Sequence, residues 1–142
     1  MKKTFLLAFI WLAVVACDRK EEAAPQIKFE TAIVSAERQS ALKSAGEDFK
    51  IQLIELTDSR CPVNADCISA GSADIKFNVS DGTNQVNVSV LYSGADKTSG
   101  SQEFELGGKT YVLKVSEVLP YPEIFKTPKL EDYKVSVSVE KK

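Results

Sequence analysis

From residue 27 to the carboxyl terminus the hydrophobic side chains recur at every second position, and a period of two commits a chain to β-structure. Ile27, Phe29, Thr31 and Ile33 alternate with Lys28, Glu30 and Ala32. Phe49, Ile51 and Leu53 alternate with Lys50 and Gln52, after which Ile54 and Leu56 continue on the opposite parity. That switch predicts either a β-bulge or a strand buried on both faces. Ile75, Phe77 and Val79 precede Asp81-Gly82, and Val86, Val88 and Val90 follow it. Phe104 and Leu106 precede Gly107-Gly108, and Tyr111, Leu113 and Val115 follow. Glycine reaches positive φ without steric cost, so both stretches read as hairpins. Tyr133, Val135, Val137 and Val139 form the last alternating run. Residues 36–47 hold one strong apolar residue, Leu42, and read as a loop or short helical turn; residues 93–101 read as a polar loop. Pro120-Tyr121-Pro122 cannot continue a ladder, because proline has no N–H to give, so residues 120–131 form an irregular crossover. The sum is about seven strands without a convincing helix, which predicts an all-β fold: an antiparallel β-sandwich or a partly open barrel.

Three segments divide the 142 residues. Residues 1–16 begin with Lys2 and Lys3 and continue as an apolar stretch, Thr4 to Ala16, too short to span a bilayer comfortably, as in a cleaved signal peptide. The stretch ends Val14-Val15-Ala16-Cys17, which resembles the bacterial lipobox. That resemblance implies cleavage before Cys17 and acylation of its thiol, with the membrane as the first partner; the plainer reading is a secretory signal that leaves Cys17 free. Each buried methylene of an acyl chain contributes ~0.8 kcal/mol, so two or three chains anchor stably. Residues 17–26 are charged and poor in apolar side chains, as in a flexible tether. Asp18 after the cysteine resembles an inner-membrane retention signal, and Lys20-Glu21-Glu22 resembles a surface-export signal displaced by one position, so membrane and leaflet stay open. Residues 27–142 form a single β domain.

Between the second and third alternating runs lies the densest chemistry of the chain, Asp58 to Gly71. An odd total of three cysteines is awkward outside the cytoplasm unless Cys17 is acylated, which leaves Cys61 and Cys67 as a pair where disulfides persist. They are six positions apart rather than in a Cys-x-x-Cys redox arrangement, so a structural bridge is expected. Arg60 can fork onto a carboxylate or onto unpaired carbonyls, and Asp58 can cap loop N–H groups; both read as loop anchors. Asn64 and Asp66 inside the loop, and Tyr121 and Phe125 on the proline-stiffened crossover, are candidate binding residues. The alternative for Tyr121 and Phe125 is that they plug the end of the sandwich.

Catalytic and metal chemistry find little support. The chain has no histidine, which removes Ser-His-Asp and Cys-His catalysis and the ordinary zinc, copper or haem sites. Asp58, Asn64, Asp66 and Asp74 are oxygen donors, but their spacing does not follow the EF-hand pattern. The adjacent acids Glu47/Asp48 and Glu131/Asp132 read as strand ends in water. No cofactor is expected. A net charge of −2 implies no nucleic-acid partner.

At residues 58–71 the chain resembles a group of small bacterial lipoproteins that carry Asp-Ser-Arg-Cys-Pro-x4-Cys-x2-Ala-Gly after an apolar strand. Asp58, Ser59, Arg60, Cys61, Pro62, Cys67, Ala70 and Gly71 match, as do the later Leu119 to Pro122 and Asp132-Tyr133; Ser69 stands where many of that group carry Trp. The resemblance implies fold and location and supplies no activity. The expectation is therefore a lipid-anchored, non-enzymatic binding or structural module of the bacterial cell envelope, with an envelope protein or glycan as partner. The alternative is an inhibitor of a protease or lysozyme, although the loop motifs of chagasin-type protease inhibitors are absent. A third reading, an enzyme acting on envelope polymers, requires two convergent carboxylates in a cleft.

Overall fold

The structure, a computed structural model, describes residues 30–95 and 100–142. The signal segment, Cys17, the tether, Ile27, Phe29 and the centre of the 93–101 loop lie outside the described residues. Among the described residues eight strands form two antiparallel sheets of four. One sheet runs β2 (Ser40–Ser44), β3 (Glu47–Asp58), β4 (Ser72–Ser80) and β5 (Gln85–Ser93). The other runs β1 (Thr31–Val34), β8 (Lys134–Lys141), β7 (Lys109–Leu119) and β6 (Gly100–Leu106). Spatial order follows chain order around the two sheets, with β1 returning to pair with β8. Ladder pairing is interrupted between β1 and β2 and between β5 and β6, so the result is a sandwich and not a closed barrel.

The alternation supplies one shared core. Phe49, Ile51, Leu53, Ile75, Phe77 and Val79 of the first sheet are buried in one cluster with Leu113, Val115, Val135 and Val137 of the second. Tyr111 sits edge-on to Phe49 at 5.1 Å between ring centroids and stacks on Phe104 at 5.6 Å. Both hairpins form, closed by residues 81–84 and by Gly107-Gly108.

Three features depart from or sharpen the expectations. The first strand faces the other way: Ile33 is 63% exposed, whereas Val34 is fully buried and Ala32 packs against the core. The reason is its pairing with β8. Val34 lies opposite Val135 and Ala32 opposite Val137, and directly opposed residues share a face, so Ile33 points with Ser136 to solvent. Residues 40–44, expected as loop or helical turn, form an additional strand, β2. It is an edge strand with a single inward side chain, Leu42, and it turns back through Ala45 and Gly46 at φ of 51° and 81°. The parity switch in β3 is a bulge: Leu53 opposes Phe77 and Glu55 opposes Lys76, leaving Ile54 as the extra residue. β7 carries a matching bulge between Val115 and Glu117.

The pairings define two poles. Residues 45–46, 81–84 and 107–108 turn at one, which also holds the carboxyl terminus and Glu30, whose carboxylate accepts the Lys43 N–H at 3.2 Å. Residues 59–71 and 120–133 occupy the other. Because inward and outward faces of β1 are assigned by register, Val34→Ala should cost about 2 kcal/mol, from lost burial plus a residual void. Ile33→Ala should stay within about 0.5 kcal/mol. Chemical denaturation of both variants checks this; equal losses would mean that β1 is paired differently.

Candidate functional site at the loop pole

At the end of β3 the chain leaves the sheet through a buried charge. The Arg60 side chain is inaccessible and that of Asp58 is 4% exposed. Arg60 Nε donates to Asp58 Oδ1 at 2.8 Å and Nη2 donates to Oδ2 at 2.7 Å, a two-pronged pairing whose planar fork matches the carboxylate. The Arg60 backbone N–H also donates to Asp58 Oδ1 at 3.1 Å, which sets the turn. The remaining guanidinium donors cross to the other sheet, where Nη1 reaches the Val118 carbonyl at 2.8 Å and Nη2 the Pro120 carbonyl at 3.0 Å. The cation lies 4.4 Å from the Tyr121 ring centroid and 5.9 Å from that of Tyr92, within cation–π range. Tyr133 donates its hydroxyl to Asp58 Oδ2 at 3.2 Å. Among the described residues no buried side-chain nitrogen or oxygen lacks a partner.

Electrostatics follow from this enclosure. Burial acts to lower the Arg60 pKa, but the Asp58 carboxylate more than offsets it, so the guanidinium stands above its ordinary value. Burial and then the adjacent Asp58 charge push Tyr133 up to about 12. At the opposite pole Tyr111 is also raised to about 12, by burial and by the Glu47 carboxylate that accepts the hydrogen bond from its hydroxyl. Lys109 pairs with the same Glu47, whose carboxyl is held below its usual range by those two hydrogen bonds.

The disulfide joins Cys61 to Cys67 with their Cα atoms 6.0 Å apart. Closing a loop of this size stabilises by about 2–2.5 kcal/mol in the chain-entropy account. The loop's ends are tied as a short ladder: Ser59 N–H to the Ser72 carbonyl and Cys61 N–H to the Ala70 carbonyl, each 2.8 Å. Gly71 is required there, because it sits at φ +68° and a Cβ on it would lie 1.9 Å from the Ser59 oxygen.

This loop does not stand alone. Val63 N–H donates to the Pro122 carbonyl at 3.0 Å, and Ile124 N–H donates to Asn64 Oδ1 at 2.8 Å. The 59–71 and 120–128 segments are thus one joined surface. Asn64 is a brace between them, and Asp66 is exposed on the same surface. Tyr121 packs on Arg60, whereas Phe125 does not plug the sandwich, since its ring is fully exposed. Phe125 occupies the third position of the Glu123–Lys126 turn at φ +67°, where turns of this kind normally take Gly or Asn. Val63 and Ile68 are exposed on the disulfide loop, Ile68 completely.

Sequence reasoning singled out Asp58, Arg60, Asn64, Tyr121 and Phe125, which all gather here, but not Tyr92, Tyr133 or Ile68. Tyr92 and Tyr133 read as ordinary strand residues, and only the fold brings them to Arg60. Of the acidic pairs, Glu47 is held by Lys109 and Tyr111, Asp48 by Lys43 at 3.4 Å, and Asp132 by the Lys129 N–H at 2.8 Å. Among the described residues no three Asp, Glu, Cys or His side chains are grouped to hold a metal ion.

Removing the cation strands the carboxylate, so Arg60→Met should cost about 3–5 kcal/mol. Adding Asp58→Leu should recover part of that loss, because the uncompensated charge then disappears. Denaturant titrations of the single and double variants measure this, and an unchanged midpoint for Arg60→Met would contradict the clamp. Tyr111 and Tyr133 ionise above the unfolded value of 10.0. The stability they contribute is therefore complete below pH 10 and lost as pH rises through about 12. Burial raises Tyr92 as well, so tyrosinate absorbance should show three late-titrating phenols among the four tyrosines, two of them near 12, and Tyr133→Phe should remove one of those two. Ionisation of all of them together near 10 in the folded protein would contradict it.

Compared with protein-family models, curated proteins and solved structures, the chain matches none.

Proposed function

We propose that this protein is a lipid-anchored, non-enzymatic binding module of the bacterial cell envelope, and that the joined loops at 59–71 and 120–128 are its contact surface. The lipobox-like Val14-Val15-Ala16-Cys17, and the likeness of residues 58–71 to small envelope lipoproteins, support the anchor and the location. One observation carries the binding reading: two loops are locked to each other and to a buried cation, yet hold Val63, Ile68 and Phe125 out in solvent. Apolar side chains on a stiff base lose little entropy on binding, and exposed apolar surface marks interaction sites. The bonding of Glu47, Asp48 and Asp132 to neighbouring groups and the lack of histidine favour binding over catalysis.

A wedge of two braced loops also suits insertion into an enzyme cleft, which keeps inhibition of a protease or lysozyme as the second reading. The anchor and the binding are tested separately. Cys17→Ala should move the protein from the membrane to the soluble fraction; retention in the membrane would contradict acylation. A domain starting at Gln26, which keeps every core residue, should retain an envelope component that Ile68→Ser with Phe125→Ser does not. Equal retention by both, or none by either, would contradict this contact surface.

A further inference from the structure

The turn that closes β4 onto β5 carries a reactive dipeptide. Asp81 precedes Gly82, and a glycine, with no Cβ, leaves its own amide nitrogen open to close approach. In a flexible chain that nitrogen attacks the carboxyl carbon of the preceding aspartate. The N–Cγ bond forms as the nitrogen gives up its proton and the carboxyl its hydroxyl group, water leaves, and a succinimide ring results. Water then adds back at the main-chain carbonyl, so that the backbone continues through the side-chain carbon as isoaspartate. The mass is unchanged, the main chain is one methylene longer, and neither oxidant nor cofactor takes part.

The folded turn engages both reacting groups. Gly82 is exposed, and a Cβ on it would meet no atom within 4 Å, so hydrogen bonds rather than bulk hold the dipeptide. Asp81 Oδ1 accepts the Thr83 N–H at 2.9 Å and the Asn84 N–H at 2.7 Å, and Oδ2 accepts from Asn84 Nδ2 at 3.1 Å. These bonds fix the carboxylate and favour its charged form, the poorer electrophile; the Asn84 and then the Thr83 N–H hold Asp81 below the usual carboxylate range. The Gly82 N–H, whose proton must leave, donates to Ser80 Oγ at 3.1 Å. The Asp81 N–H closes the turn on the Asn84 carbonyl, also at 3.1 Å. A Cβ on Gly107 would lie 3.2 Å from Asp81 Oδ2 and 3.3 Å from Asn84 Nδ2, so the hairpin turn of the other sheet lies against this one. An added methylene at 81 displaces the carboxylate from its donors and from that contact.

We propose that Asp81-Gly82 is a latent isoaspartate site, held shut by the folded turn and released when the turn opens, so that a chain once modified there cannot rebuild the same pole. This modification site is independent of the binding reading above.

The test ages the full chain in detergent at neutral pH beside a synthetic peptide of residues 76–90. Isoaspartate is read by mass spectrometry after digestion with an endoproteinase that cuts before aspartate and not before isoaspartate. The folded chain should convert about tenfold or more slowly than the peptide, because it reacts only from the opened turn. Ser80→Ala combined with Asn84→Ala frees the Gly82 N–H and Asp81 Oδ2, and should convert faster than the native chain while the circular dichroism stays that of a β-protein. Should the pair not fold, Ser80→Ala alone takes its place. Chains aged in denaturant and then refolded should melt lower than unaged chains treated in the same way. Conversion of the folded native chain at the peptide's rate would overturn the inference, as would a folded variant that converts no faster than the native chain. Unchanged melting of the modified chains would overturn the consequence drawn for the pole.

Discussion

The loop pole depends on one buried cation. Arg60 emerges where β3 ends and donates to Asp58 beneath it and to the Val118 and Pro120 carbonyls of the facing sheet. An arginine can do this because its planar fork serves a carboxylate and separate carbonyls at once, whereas a lysine offers a single point charge. Desolvating an ion is expensive, and the geometry offsets that expense only when each strong donor finds an acceptor. Here four of the five guanidinium N–H donors do, and two tyrosine rings lie beside the cation. The clamp thereby positions Cys61, the next residue, and through it the whole disulfide loop.

The opposite pole repeats the device with the charges reversed in role. Glu47 at the start of β3 accepts from Tyr111 and Lys109 at the start of β7. The two longest strands, β3 and β7, are therefore tied to each other at both ends, and each carries a bulge between its ties. Between the ties the sheets are held mainly by apolar burial, with Tyr111, Phe49 and Phe77 as the largest buried side chains, and the Ser40 and Ser44 hydroxyls add hydrogen bonds across the β1/β2 seam to the Ile33 and Val139 carbonyls. Polar specificity sits at the poles and hydrophobic volume in the middle, so the sandwich stays in register without a closed ladder at its β1/β2 and β5/β6 seams.

How much of this was legible in the sequence depended on whether the signal was local. The strands with strict alternation, the Asp81-Gly82 and Gly107-Gly108 turns and the Cys61–Cys67 bridge all follow from neighbouring residues. β2 was not legible, because an edge strand with one inward side chain has no period to read, and Ala45 at positive φ gives no turn signature. The facing of β1 was misread, because Ile33 outweighs Ala32 in hydrophobicity while the valines of β8 decide the register. Asp58 and Arg60 announced themselves as a pair two residues apart. Their partners Val118, Pro120 and Tyr133 lie some sixty or more positions away and left no local trace.

The functional account rests on the loop pole being rigid before any partner arrives. Preorganisation lets a few exposed side chains bind with little entropic loss, and here it comes from Arg60 through the Val63–Pro122 and Asn64–Ile124 hydrogen bonds. Amide hydrogen exchange, read residue by residue in the native protein and in Arg60→Met, tests this most directly. The account predicts that the Val63 and Ile124 amides are protected in the native protein. In the variant they should exchange at exposed-loop rates, while amides in the middle of β4 and β7 keep their protection. Unprotected Val63 and Ile124 amides in the native protein, or protection that survives the loss of Arg60, would contradict it.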